Sequence, residues 1–268
     1  MQYGIDVSHY QRGINWSAVK QTGISFAILK AMYESDHRPD EYFEKNYQGC
    51  KTNGIELGVY DFIGSENIKN PRKDAEDLLK ILHGRELPWG IWLDAESASL
   101  RAIGKQKITE LLEIEAEIFR NAGYAVGIYS NRDWYNNVLD SKYLKDKYPF
   151  WIARYPSDDT GVIVERLNPK SIAQAWQYSS KGKVSGIIGN VDMDIAYITA
   201  KDMAKYKTTP LLTVGAHTVT ANTLNIRQKS SASSKDIGDL KNGSIITIDK
   251  IENGFGHFEG WVSMNYLK

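Results

Sequence analysis

GVYDFIGSENIKNPRKDAEDLLKILHGRELPWGIWLDAE, residues 58–96, is the stretch that decides the fold. Residues 58–62 and 90–96 are short, nearly continuous apolar runs bounded by Gly, Pro and polar residues, the pattern of strands buried on both faces. Between them, PRKDAEDLLKIL (71–82) sets apolar residues at helical spacing behind a proline suited to a first turn. Buried strand, helix, buried strand argues for a parallel α/β sheet or barrel and against a sandwich.

The same alternation extends in both directions. Further strands are expected at 3–7, 26–30, 125–130, 150–155 and 175–178, with a weaker eighth at 191–195. Helices are expected at 17–22, 41–54 and 107–122, the last (KITELLEIEAEIFRNA) stopping at Gly123. After Tyr155 the long helices disappear, so the helical shell is incomplete on that side. The reading is a barrel of about five βα units with strands closing the remainder. Near Lys201 the composition changes: KDMAKYKTTP is polar, ends in Pro210 and fits a linker. Beyond it, short β runs at 218–221, 224–227, 244–252, 255–258 and 260–263 are separated by SSASS, KNG and ENG, which suggests a small β-barrel.

Composition narrows the chemistry. The 33 basic and 33 acidic side chains balance, and neither half has the basic excess of a phosphate-backbone binder, so nucleic acid is not an expected partner. Cys50 is the only cysteine, which excludes an intrachain disulfide and a Cys/His metal cluster; it reads as a small buried thiol. No apolar run is long enough to span a bilayer, so no membrane insertion is expected. The start, MQYGIDVSHYQ, has no charged n-region followed by an apolar h-region, hence no Sec-type leader is expected. HxH, HExxH and GxSxG spacings are absent, so neither a metal site, a cofactor nor a serine-hydrolase triad is expected. His9 is near enough to Asp6 in sequence to line the rim.

The densest chemical signal is Ile91-Trp92-Leu93-Asp94-Ala95-Glu96. Residues i and i+2 share a strand face, with Cα atoms roughly 6.6 Å apart. Asp94 and Glu96 therefore project together at a C-terminal strand end, where barrel active sites lie. Two close carboxyls cannot both ionise freely, and a protonated acid beside a carboxylate suits glycoside hydrolysis. Alone, the DxE pair also fits a solvated strand–loop junction. Asp6 at the end of the first strand and Asp192 in the last one shift the balance, because barrel closure brings both to the same mouth. Aromatic side chains in or beside the strands (Tyr60, Tyr129, Trp151, Tyr155, Trp176 and Tyr178) serve either as core or as sugar-stacking platforms. Strand parity lets only some of them face the cleft, and Tyr60, Tyr129, Tyr155 and Trp176 are the favoured set.

GIDVSHYQ, GINW, AILKA, LGVYDF, IWLDAE, WIARY, AWQYSS and VSGIIGNVDMD occur in the order found in glycoside hydrolase family 25, the Chalaropsis-type lysozymes common among phage endolysins and bacterial muramidases. The resemblance covers residues 1–200. It implies a flattened TIM-like barrel of eight strands and about five helices that cleaves the β-1,4 bond after N-acetylmuramic acid in peptidoglycan glycan strands. It further implies Glu96 as general acid/base, Asp94 as nucleophile or helper of the substrate's acetamido group, and Asp6 and Asp192 completing the acidic pocket, with Lys30 among the substrate contacts. The family is regarded as retaining, with which an i, i+2 pair is compatible.

The chain departs from the family pattern at Tyr60-Asp61-Phe62 (usually YHF), at Lys30-Ala31-Met32-Tyr33-Glu34 (often KATEG) and at Asp194 (usually Asn). An added acid at Asp61 or Asp194 is expected to move the pH optimum. The tail, with Leu224-Asn225-Ile226-Arg227, 238–243 (GDLKNG) and 260–267 (GWVSMNYL), resembles bacterial SH3 domains, which implies binding of wall peptide with Trp261 and Tyr266 as contact residues.

The expected organisation is a catalytic barrel at 1–200, a linker at 201–214 and an SH3-like domain at 215–268. The expected activity is that of an endolysin-like muramidase, made in the cytoplasm and reaching the wall through a lesion made by a separate holin. Nothing in the chain calls for more than a monomer. A non-catalytic wall-binding protein and a glycosidase acting on another amino-sugar polymer are the alternatives.

Overall fold

Eight strands close into a barrel in chain order: β1 (Gln2–Val7), β2 (Phe26–Lys30), β3 (Glu56–Phe62), β4 (Ile91–Asp94), β5 (Val126–Asn131), β6 (Phe150–Ala153), β7 (Ala175–Gly182) and β8 (Val191–Ala196). The computed structural model describes residues 1–207, 214–219, 221–231, 233–252, 255–264 and 267. Every expected barrel strand is present, with ends shifted by a few residues.

Strands β1 to β7 run parallel to their sequence neighbours, whereas β8 is antiparallel to both β7 and β1. Residues 183–190 are too few for the crossover of about a dozen residues that a parallel return needs, so β8 folds back. This reversal positions the site. It brings the start of β8 to the end of the barrel where the other strands finish, and it sets Asp192 directly opposite Asp6 in register.

The helices are α1 (Trp16–Gln21), α2 (Phe43–Thr52), α3 (Ser65–Lys69), α4 (Pro71–Leu82), α5 (Ala98–Ala102), α6 (Lys105–Asn121), α7 (Ser141–Leu144) and α8 (Ala200–Met203). Those not foreseen are one-turn segments, too short to leave a periodic pattern. Pro71 opens α4, and the Asn70 side chain caps it by accepting from the Lys73 N–H at 3.1 Å. α6 buries Ile108, Leu111, Leu112, Glu115, Ala116 and Phe119, an i, i+3, i+4 stripe with one acid in it.

The apolar layer between strands and helices is continuous and includes Cys50, whose thiol burial pushes far up in pKa. A second cluster fills the barrel itself, with Phe26 and Trp89 stacked below Trp92, Tyr129 and Trp151. Gly90 is required where β4 begins. Its φ is +67°, and a Cβ there would lie 2.3 Å from the Ala125 carbonyl oxygen.

Of the expected linker, the described residues 201–207 fold onto the barrel instead. Thr199 and Asp202 cap α8 reciprocally, Met203 is fully buried, and Arg120 donates to the Tyr206 carbonyl at 3.1 Å. Lys207 forms an isolated bridge with Ala125. The polar letters around one buried methionine hid this contact.

The chain divides into two compact units, Met1–Thr209 and Pro210–Lys268. In the second, β9 (Gly215–Thr218) pairs with β12 (Ile245–Ile248). A five-stranded sheet runs in the order β11 (Asp236–Lys241), β10 (Thr223–Arg227), β15 (Trp261–Ser263), β14 (Phe255–His257) and β13 (Lys250–Glu252). β11 falls outside the expected β runs, because DIGDLK has little apolar content. Val219, Leu224, Ile246, Ile248, Val262 and Met264 form the small core.

Candidate active site

A cavity of about 260 Å³ opens at the barrel mouth, and Asp6, Asp94, Glu96 and Asp192 all line it, with Lys30, Tyr60, Tyr129 and Tyr155. Register explains the convergence. Lys30 pairs with Tyr60, Asp94 with Tyr129, and Asp6 with Asp192, so one layer of inward-facing side chains supplies the floor. Asp94 ends β4 deep in the cavity, 7% exposed. Glu96 lies just beyond the strand and stands at the exposed rim.

Trp176, expected in the cleft, is not there. It is fully buried on the outer face of β7 with Tyr178 and Ile195, and its indole N–H donates to the Arg154 carbonyl at 2.7 Å. The inward positions of β7 belong to Ala175 and Gln177, while the tryptophan that lines the cavity is Trp151 on β6. Alternation along β7 leaves open which of its faces turns inward, and a ring suits either side. His9 is held at Asp40, with Nδ1 2.8 Å from Oδ2, and takes no part in lining the cavity.

Hydrogen bonds hold the acids in place. The Tyr129 hydroxyl donates to Gln177 Oε1 at 3.0 Å, and Gln177 Nε2 donates to Asp6 Oδ2 at 2.8 Å. Beneath them the Trp151 indole N–H donates to Asp194 Oδ1 at 2.9 Å, so Asp194 forms a buried layer under Asp6 and Asp192. Lys30 reaches Glu34 Oε2 at 3.0 Å and is the cation facing Asp94. Asp94 Oδ1 is buried with no hydrogen-bond partner among the described residues.

Electrostatics follows from this crowding. Burial and then repulsion from Glu96 raise the Asp94 carboxyl well above the ordinary range. The cleft walls around Glu96 raise it as well. Burial raises Asp6, helped by Asp192 and Asp194, and burial with Asp159 pushes Asp192 up to about 6. The Asp94–Glu96 pair therefore keeps a proton at pH values where free carboxyls are ionised. The arrangement can donate a proton at its rim and hold negative charge in its floor.

The sequence profile of the glycosyl hydrolases family 25 matches residues 5–187. The chain belongs to this family. Across 202 residues it is 30% identical to Lysozyme M1 of Streptomyces globisporus, over 70% of this chain and 65% of the relative. The chain thus spans just under two thirds of that relative's length. The bacterial lysozyme from Streptomyces coelicolor superimposes with a TM-score of 0.62 at 27% identity, over 78% of this chain and 98% of the other. The CTP1L endolysin gives 0.60 at 25% identity, over 76% and 70% respectively.

This family 25 barrel also carries a second acid cluster. Asp61, between the cleft residues Tyr60 and Phe62, points outward and meets Asp74 of α4 and Glu115 of α6; their oxygens lie within 4.8 Å of one another. All three are buried. Asn67 donates to Glu115 Oε1 at 3.2 Å, and His37 Nε2 lies 3.0 Å from Asp74 Oδ1. Burial raises all three carboxyls, Asp74 to about 6. Among the described residues this is the one group with the spacing to surround a cation. It shares no residue with the mouth cavity. Of the two added acids, Asp194 lies beneath the site and Asp61 on the outer face of β3.

Proposed function

We propose that the barrel is a muramidase, hydrolysing the β-1,4 bond between N-acetylmuramic acid and N-acetylglucosamine in peptidoglycan. The observation that carries this reading is the convergence of Asp94, Glu96, Asp6 and Asp192 on one cavity, where burial raises the carboxyls of the first two. Glu96, at the rim, gives its proton to the leaving glycosidic oxygen. Asp94 in the floor supplies the negative charge that faces the oxocarbenium-like carbon. Water then attacks that carbon and returns a proton to Glu96. Asp6, fixed by Gln177, and Asp192 keep the local potential negative and bind sugar hydroxyls. Tyr60, Tyr129 and Tyr155 offer ring faces to the sugars and Lys30 a cation beside Asp94.

The unit Pro210–Lys268 is proposed as the SH3-like wall-binding module. In support, its Trp261 is only partly buried, 5.0 Å from the His257 ring and with Lys250 Nζ 5.6 Å from its own ring centre. Tyr266 lies outside the described residues. An endolysin role, with synthesis in the cytoplasm and release to the wall through a holin lesion, fits this pairing of hydrolase and anchor. Among the described residues, no helix is long and apolar enough to cross a membrane. Purified walls and chitin offered side by side test the reading. Clearing of wall suspensions without release from chitin is expected, and the reverse would overturn it.

A further inference from the structure

We propose that the cleft continues past Glu96 into a carboxylate-binding subsite, where Arg132 and Arg154 receive the anionic 3-O-lactyl arm of the muramyl residue. This rests on the muramidase reading and specifies which part of the substrate the barrel recognises.

A second cavity of about 350 Å³ shares Glu96, Tyr129 and Tyr155 with the first and extends to Arg132 and Arg154 beyond β5 and β6. Both arginines are half-buried and line the cavity. Arg154 Nη1 donates to the Leu167 carbonyl at 3.2 Å, which fixes that side chain. Arg132 has no ion-pair partner among the described residues. The neighbouring acid of this cavity, Asp133, is already engaged by Arg101 and by Asn137 Nδ2 at 2.7 Å. The cavity thus offers an uncommitted guanidinium fork, the group best matched to a carboxylate.

Substrate chemistry points the same way. Along the glycan, hydroxyl and acetamido groups are neutral, and only the lactyl arm of the muramyl residue ends in carboxylate, its own or that of an attached stem peptide. If Glu96 protonates the oxygen leaving that sugar, the arm on the same ring lies close to Glu96, where the second cavity begins. The acids of the mouth repel a carboxylate, and the arginines at the far end attract it. Exposed Tyr155, at the junction, gives the ring a face to rest on.

The test uses the full chain carrying Glu96→Gln, which binds without turnover, and three tetrasaccharides: neutral chitotetraose, the alternating muramyl glycan with free lactyl arms, and the same glycan bearing dipeptide stems. Calorimetry should show at least one muramyl ligand bound about tenfold or more tightly than chitotetraose. Preference for the free-lactyl form assigns the lactyl carboxylate, and preference for the stemmed form assigns that of the peptide. Adding Arg132→Gln should abolish the preference while chitotetraose binding stays unchanged, and Arg132→Lys should retain part of it. Equal affinity for all three ligands, or equal weakening of all three by Arg132→Gln, would overturn the subsite and leave the glycan-binding cleft in place. Binding of none of them would overturn the muramidase reading itself.

Discussion

Asp61 and its strand neighbour Tyr60 face opposite sides of β3, and the two acid clusters they belong to make an instructive pair. Inward, Asp6, Asp94, Glu96 and Asp192 border a cavity open to solvent and walled by aromatic rings. Outward, Asp61, Asp74 and Glu115 are sealed between β3, α4 and α6. Burial raises the carboxyls in both. Raised acids therefore do not identify the chemistry by themselves. Access does, since only the inner group has room for a sugar and a rim acid that can reach it.

Substitutions on the two sides should separate these roles. The largest effect is expected from Glu96→Gln, which removes the proton donor without changing shape: wall lysis should fall by about 10²–10⁴, with thermal stability unchanged. Near-parental lysis would take Glu96 out of its role. On the outer side, Asp61→Asn should leave kcat near the parental value and change the dependence of stability on pH. A carboxyl whose folded pKa is raised keeps protons that the unfolded chain releases near pH 4, so stability falls as pH climbs from there through the raised value. Asp74, pushed to about 6, accounts for about 3 kcal/mol of such loss by pH 7. Asp61→Asn removes a second carboxyl raised by burial and by its acidic neighbours, so the fall in stability above pH 4 should be shallower in thermal melts. An unchanged slope together with lost activity would erase the distinction between the clusters.

Smaller shifts sharpen the inner group. Asp194 adds to the potential that raises Asp6, so Asp194→Asn should move the upper limb of the pH–rate profile down. A profile matching the parent would show that this buried layer does not tune the mouth. Deleting residues 210–268 should leave hydrolysis of soluble glycan intact and reduce co-sedimentation with walls. Undiminished sedimentation would remove the anchoring role.

The barrel was legible because strand runs such as FAILK and IWLD and the helix PRKDAEDLLKIL carry their environment in their spacing. Asp6, Asp94, Glu96 and Asp192 were legible because acids at strand ends are conspicuous. The direction of β8 was less so, since nothing within VDMDIA says which way the strand runs; the shortness of its connection to β7 does. Trp176 was misplaced because a ring suits the core as well as a cleft, and Gln177 was missed because a lone amide is an ordinary surface residue. The outer cluster did leave a trace: Asp74 and Glu115 each interrupt the apolar stripe of their helix, and that conflict marks a buried acid seeking partners.

The claim that the acids of the mouth cut peptidoglycan at the muramyl residue is tested most directly by mass spectrometry of the fragments released from a defined peptidoglycan. New reducing ends on N-acetylmuramic acid are the expected result. Reducing ends on N-acetylglucosamine, or intact glycan with cleaved peptide, would contradict it.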